Sequence, residues 1–249
     1  TNPKTTERKK FVFRACFIDD FQGQVMAKFA RQHLQATTAA VLYDVASEYN
    51  KGIAEFFRQF FEAEGGKVVA FTSYTTGDKD FSSQLTAIKA AAPQVLFLPN
   101  YYNEVPLQVK QARQQGFTGA IIGSDSWGSQ ELLTLAGVDL EGAYFSTHYA
   151  PDIATPTAQK FIKEYEERYG KKPDDVAALT YDAGRMLCQA ITQAGTLDRL
   201  KVRDALARIQ EFEGVTGKMT FKGGGDPIKS AVILQIQGGQ FKYFTSVQP

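Results

Sequence analysis

Six short β-rich runs recur, with starts under 30 residues apart, at 11–18 (FVFRACFI), 38–43 (TAAVLY), 67–73 (KVVAFTS), 94–98 (QVLFL), 119–122 (GAII) and 142–147 (GAYFST). That interval is the length of a strand, a loop and a crossover helix, so the beat predicts a parallel α/β sheet rather than a set of hairpins. The stretches between the runs have helical spacing. Residues 50–63 align Ile53, Phe56, Phe57, Phe60 and Phe61 before Gly65-Gly66 stops the helix. This aromatic stripe reads as core. Residues 81–91 offer Phe81, Leu85 and Ile88, while Leu107, Val109 and Ala112 mark a helix ending near Gly116. Pro106 sits in its first turn, where a missing N–H costs nothing.

After residue 150 the rhythm changes. Helical patterns at 157–169, 174–194 and 198–208 lead into three β runs, 216–221, 229–236 and 240–245, with KGGGDP and QGG as turns. The change predicts a second, differently built lobe whose sheet comes from those three terminal strands, two of them a hairpin. Its helices carry more apolar surface than such a sheet can cover, so part of this lobe is expected upstream of residue 1.

Composition narrows the function. Of 249 residues, 28 are Lys or Arg and 27 Asp or Glu, a formal net charge of +1 that gives no basic footprint for nucleic acid. The one charge-dense stretch, KTTERKK at 4–10, reads as a solvated loop. Cys16 and Cys188 each lie in an apolar pattern and are expected to be buried thiols rather than a disulfide. With two histidines, His33 and His148, and no Cys-x-x-Cys spacing, neither a zinc site nor another metal or cofactor is expected. No apolar run reaches the length of a transmembrane helix.

In open parallel sheets, ligands bind beyond the carboxyl ends of the strands. The residues found there are Asp19, Asp20 and Phe21; Asp44, Ser47, Glu48 and Tyr49; Asn100, Tyr101 and Tyr102; and Ser124, Asp125, Ser126 and Trp127. The set is aromatic, hydroxylic and acidic. A carboxylate and tyrosine faces suit an ammonium-bearing small molecule. Phosphate is not favoured, because no G-x-x-x-x-G-K-[ST] occurs and KGGGDP lacks the dinucleotide spacing. A hydrolase acting on amino-acid derivatives through Ser124 or Ser126 is the competing class, although there is no G-x-S-x-G elbow and His148 is the only candidate base.

The blocks TNPKTTERKKFVFRACFIDDFQGQ, YDVASEYNKGIAEFF, TTGDKDFSSQL, PQVLFLPNYYNEVPLQVKQARQQG, GSDSW, LEGAYFSTHYAPD and EFEGVTGKMTF resemble, in order, those of the type I periplasmic binding proteins. The closer similarity is to the leucine/isoleucine/valine-binding branch that feeds ABC importers. The resemblance implies two α/β lobes with doubly wound parallel sheets that close on a ligand, here with the first lobe incomplete. Residues 11–150 would be the whole second lobe, and 1–10 with 151–249 the C-terminal part of the first lobe and the connections.

The resemblance also implies site roles. Thr1 would be a hydroxyl contact, Tyr49 and Tyr101 lobe-two contacts, and Asp125 the acceptor for the ligand's α-ammonium. Trp127, Tyr102 and Phe21 are candidates to line the side-chain pocket. Tyr181, on the 174–194 helix, is expected to be a core residue. The function implied is capture of a branched-chain or related apolar amino acid and delivery to a membrane ABC transporter permease, without catalysis. The location implied is periplasmic or extracellular, with or without a lipid anchor, and the full-length protein is expected to be a monomer. A sensory domain of the same fold, or a piece of an engineered binding-protein sensor, would share these residues.

Overall fold

The computed structural model describes residues 1–153 and 155–249. Its elements run α1 (Asp19–Gln32), β1 (Thr38–Asp44), α2 (Glu48–Ala63), β2 (Lys67–Tyr74), α3 (Ser82–Ala90), β3 (Val95–Leu98), α4 (Val105–Gln114), β4 (Ala120–Gly123), α5 (Gln130–Ala136) and β5 (Tyr144–Thr147). There follow α6 (Pro156–Tyr169), α7 (Asp175–Ala194), α8 (Arg199–Ala207), β6 (Phe212–Gly214), β7 (Gly217–Phe221), β8 (Pro227–Ile228), β9 (Ala231–Gln237) and β10 (Gln240–Val247). These form two compact units, one of residues 19–147 with 233–244, the other of 1–18, 148–232 and 245–249.

The first of these units is built on a seven-stranded sheet of order β10-β9-β5-β4-β3-β1-β2. Its β2-β1-β3-β4-β5 portion is parallel throughout, as the spacing of the runs requires. Strand β3 is buried along its whole length and β1 along most of it, the pattern of parallel strands covered on both faces. From α2, the Phe57 ring packs 4.3 Å from Phe97 and 5.4 Å from Phe61, centroid to centroid. Each such buried phenyl contributes about 1.5–3 kcal/mol. Phe56 and Phe60 are only partly covered, flanking that stripe.

Helix starts follow side-chain chemistry. Ser47 caps α2 by accepting from the Asn50 N–H at 3.3 Å, and Ser129 caps α5 by accepting from the Glu131 N–H at 3.2 Å. Asp174 accepts from the Ala177 N–H at 2.8 Å to open α7, and Gly195, at φ 63°, closes it.

The other unit packs α6, α7 and α8 with the antiparallel sheet β6-β7-β8. One apolar cluster gathers Ala15, Met186, Ile209, Phe212, Met219 and Phe221, and a second gathers Tyr149, Ala158, Phe161, Ala178 and Val215.

Four expectations are corrected. Residues 11–18 form no strand; the Arg14 N–H donates to the Gly225 carbonyl at 3.0 Å, a single bond in place of a ladder. Their β propensity is real, but a strand also needs a neighbour along its length. The terminal hairpin does not build a sheet of its own: β9 lies beside β5 and extends the large sheet. Cys188 is exposed on α7 and Cys16 is half-buried. Tyr181 is likewise 41% exposed, while its neighbour Asp182 is the buried residue of the pair.

Candidate functional site

Strands β1 and β3 are neighbours, yet the chain leaves β1 for β2 on one side and β3 for β4 on the other. Connections that diverge in this way open a crevice at the carboxyl ends of the two strands. Three segments meet there: the first turn of α2, which carries Tyr49, the loop carrying Tyr101 out of β3, and a 3-10 turn, Asp125–Trp127, after β4.

The structure brings Tyr49, Tyr101 and Asp125 together. The Tyr49 hydroxyl donates to Asp125 Oδ1 and lies 3.0 Å from Ser124 Oγ. Burial, and after it the Asp125 charge, push the Tyr49 hydroxyl well above its ordinary titration range, so it stays a donor. Tyr101 stacks on Tyr49 with centroids 5.4 Å apart and ring planes 29° from parallel, and it is 42% exposed. Burial raises the Tyr101 hydroxyl as well, opposed by a hydrogen bond with Ser47. A partly exposed tyrosine therefore stands close enough to a carboxylate to feel its charge, a pairing that suits an organic cation.

The serines are committed to this framework. Ser126 Oγ donates to the Asn100 carbonyl at 2.7 Å and lies 2.9 Å from Ser124 Oγ. The Asp125 N–H donates to Gln22 Oε1 at 3.3 Å. The hydroxyls that a hydrolase would need as nucleophiles are thus held by Tyr49, by one another and by a backbone carbonyl. His148 belongs to the other unit, buried with its ring centroid 3.8 Å from that of Phe17.

The remaining predicted residues differ in burial. Trp127 is wholly buried, its ring laid back over Gly123 and 6.1 Å from Phe145, centroid to centroid. It has no surface with which to line a pocket in this structure. Tyr102 and Phe21 are half-buried, the former in the turn before α4 and the latter in the first turn of α1. Thr1 is a residue of the other unit.

Sequence reasoning offered Asn100 at a strand end but missed Asn50, Gln108 and the polar layer the three form beneath the site. Asn50, Asn100 and Gln108 are each 0% exposed and are joined by Asn50 Nδ2 to Asn100 Oδ1 at 3.1 Å and Asn100 Nδ2 to Gln108 Oε1 at 2.8 Å. The available signal was three amides within the β1–α2 and β3–α4 segments, but nothing in the spacing showed them converging. Asp44, at the end of β1, is satisfied by the N–H groups of Ala46 at 2.8 Å and Thr76 at 3.1 Å and by the Thr76 hydroxyl. No group of three His, Cys, Asp or Glu side chains among the described residues is placed to hold a metal ion. Nor is any helix among them long and apolar enough to cross a membrane.

Comparison with known proteins places the fold. A leucine-binding protein, LivK, of Thermotoga maritima is 39% identical and superposes with a TM-score of 0.95, over 100% of this chain and 71% of that one. The branched-chain amino acid substrate-binding protein LivJ of Streptococcus pneumoniae, solved with isoleucine, is 29% identical with a TM-score of 0.90, over 100% and 71% of the two chains. A leucine-, isoleucine-, valine-, threonine- and alanine-binding protein of Pseudomonas aeruginosa is 32% identical over 228 residues, 91% of this chain. The chain spans 60% of that relative's length. Residues 1–240 match the family described as periplasmic binding protein. With a two-unit α/β architecture, a parallel sheet and a match that runs nearly from end to end, this chain is a member of the periplasmic binding protein family.

Proposed function

We propose that this protein is an extracytoplasmic solute-binding protein that captures an amino acid with a branched or similarly apolar side chain and delivers it to a membrane ABC transporter. The observation that carries the proposal is the Asp125 carboxylate fixed by Tyr49 close to the partly exposed Tyr101. In this reading Asp125 accepts from the α-ammonium, Tyr101 covers the headgroup, and the half-buried Tyr102 and Phe21 are the candidates to meet the side chain. The names of the relatives support the ligand class, since they are leucine- and branched-chain-binding proteins, one of them solved with isoleucine. They also support binding without turnover and a place outside the cytoplasmic membrane.

Calorimetry of the full-length protein against leucine, isoleucine, valine and a polar amino acid such as glutamine tests the assignment. Apolar amino acids are expected to bind, and Asp125→Ala to weaken them at least about tenfold, since a hydrogen bond to a charged group is worth roughly 1.5–3 kcal/mol. An Asp125→Ala variant with undiminished affinity overturns the anchor.

A further inference from the structure

Ladder pairing stops just short of the site. The β3–β4 register ends at Leu98 with Gly123, and that of β1 with β3 ends at Val41 with Phe97. Beyond these pairs, the loops that carry Tyr101 and Asp125 need another means of keeping their separation.

The side chain of Asn100 occupies that place. It is wholly buried, and its Oδ1 accepts from the Asp44 N–H at 3.3 Å and from Asn50 Nδ2 at 3.1 Å. Its Nδ2 donates to the Leu42 carbonyl at 2.9 Å and to Gln108 Oε1 at 2.8 Å. One planar amide, using both donors and both acceptor positions, thus binds the end of β1, the first turn of α2 and the start of α4. Asn50 reinforces the knot by donating also to the Pro99 carbonyl at 2.6 Å.

The backbone of the same residue reaches the acidic turn. The Asn100 carbonyl accepts from Ser126 Oγ, which touches Ser124 Oγ, which touches the Tyr49 hydroxyl, the donor to Asp125. We propose that Asn100 is a positioning residue: its amide fixes where the Tyr101 loop leaves the sheet, and its carbonyl, through Ser126, fixes the Tyr49–Asp125 pair at a set distance from Tyr101. The consequence for affinity rests on the amino-acid-binding function proposed above; the positioning itself does not. Aspartate has the shape of asparagine but turns two donors into acceptors facing the Leu42 and Gln108 oxygens. Ser126→Ala leaves the amide knot intact and cuts only the relay.

The test uses wild type, Asn100→Asp, Ser126→Ala and the double variant, each checked for its fold by circular dichroism. With L-leucine as probe in calorimetry, each single change is expected to raise Kd about tenfold, and the double change by little more than the worse single one, because the amide knot and the Ser126 relay act in series on the same pair. Independently of ligand, the 19F resonance of Tyr49 in protein labelled with 3-fluorotyrosine, assigned by its loss in Tyr49→Phe, is expected to move in Asn100→Asp. A buried asparagine with a merely structural role lowers the melting temperature and leaves that resonance in place. Wild-type affinity in Ser126→Ala, effects that multiply in the double variant, or an unmoved Tyr49 resonance in folded Asn100→Asp each overturn the proposal. Should Asn100→Asp not fold, the affinity of Ser126→Ala decides. If wild type binds no amino acid, the functional proposal falls, and the Tyr49 resonance decides the positioning alone.

Discussion

Tyr49 serves two neighbours at once: its ring faces that of Tyr101 at 5.4 Å while its hydroxyl donates to Asp125. One side chain therefore fixes both an aromatic wall and the direction in which a carboxylate points. Tyr49→Phe separates these roles, because the stack survives and the donor is lost. Stability is expected to fall by about 1.5–3 kcal/mol in urea unfolding, the cost of a lost hydrogen bond to a charged group. Affinity for leucine is expected to fall with it, and a Tyr49→Phe protein with wild-type affinity contradicts the assigned orientation of Asp125.

Gly123 is where Trp127 presses on the sheet. A Cβ on Gly123 would run into the Trp127 indole, closer than any real contact, so Gly123→Ala must displace the ring or the strand end. Overpacking of this kind costs about 1–3 kcal/mol. Trp127 is the only tryptophan in the sequence, so its emission reports the change directly. A red shift with a lower denaturation midpoint is expected; an unchanged spectrum would show that the ring does not lie where the structure puts it.

Lys229 is buried and donates to Thr216 Oγ1 at 2.8 Å and to the Ala15 carbonyl at 3.2 Å. Burial pulls its ammonium down from 10.5 to about 8, partly offset by Asp182 and Cys16. Below pH 8 the group is charged in folded and unfolded chains alike, and its desolvation opposes folding. Between about 8 and 10.5 the unfolded chain holds the extra proton, so stability from this group rises with pH, by about 3 kcal/mol at most. Denaturation midpoints from pH 7 to 10.5, compared with those of Lys229→Met, isolate the contribution. The variant is expected to lack the rise, and parallel profiles would exclude it.

The two thiols differ in access. Cys188 is exposed on α7 and Cys16 is half-buried, both of them free. Native protein is expected to take up one equivalent of a maleimide quickly and a second slowly. Cys188→Ser should remove the fast phase; its persistence would mean that Cys16 is the open thiol.

Most of the large sheet is legible in the sequence, because a crossover unit has a characteristic length and buried strands are apolar on both faces. Residues 11–18 mislead for the same reason: FVFRACFI has strand composition, but composition cannot supply a neighbour. The strand-end rule finds Tyr49, Tyr101 and Asp125, which the structure places in contact. It also offers Trp127, since position along the chain does not show that a glycine four residues earlier lets an indole fold back onto the strand. The amides of Asn50 and Gln108 were unreadable because their shared partner, Asn100, lies 50 and 8 residues away in sequence, with no periodicity linking all three. Cys188 was misplaced because α7 is apolar on more sides than its described neighbours cover.

The placement of β9 and β10 governs the order in which this molecule can assemble. Residues 233–244 complete the unit begun at Asp19, and β9 must find β5 across most of a hundred intervening positions. During synthesis, therefore, one edge of the large sheet stays open while helices α6 to α8 are made. The nascent chain must keep that edge from pairing elsewhere until β9 and β10 have left the ribosome.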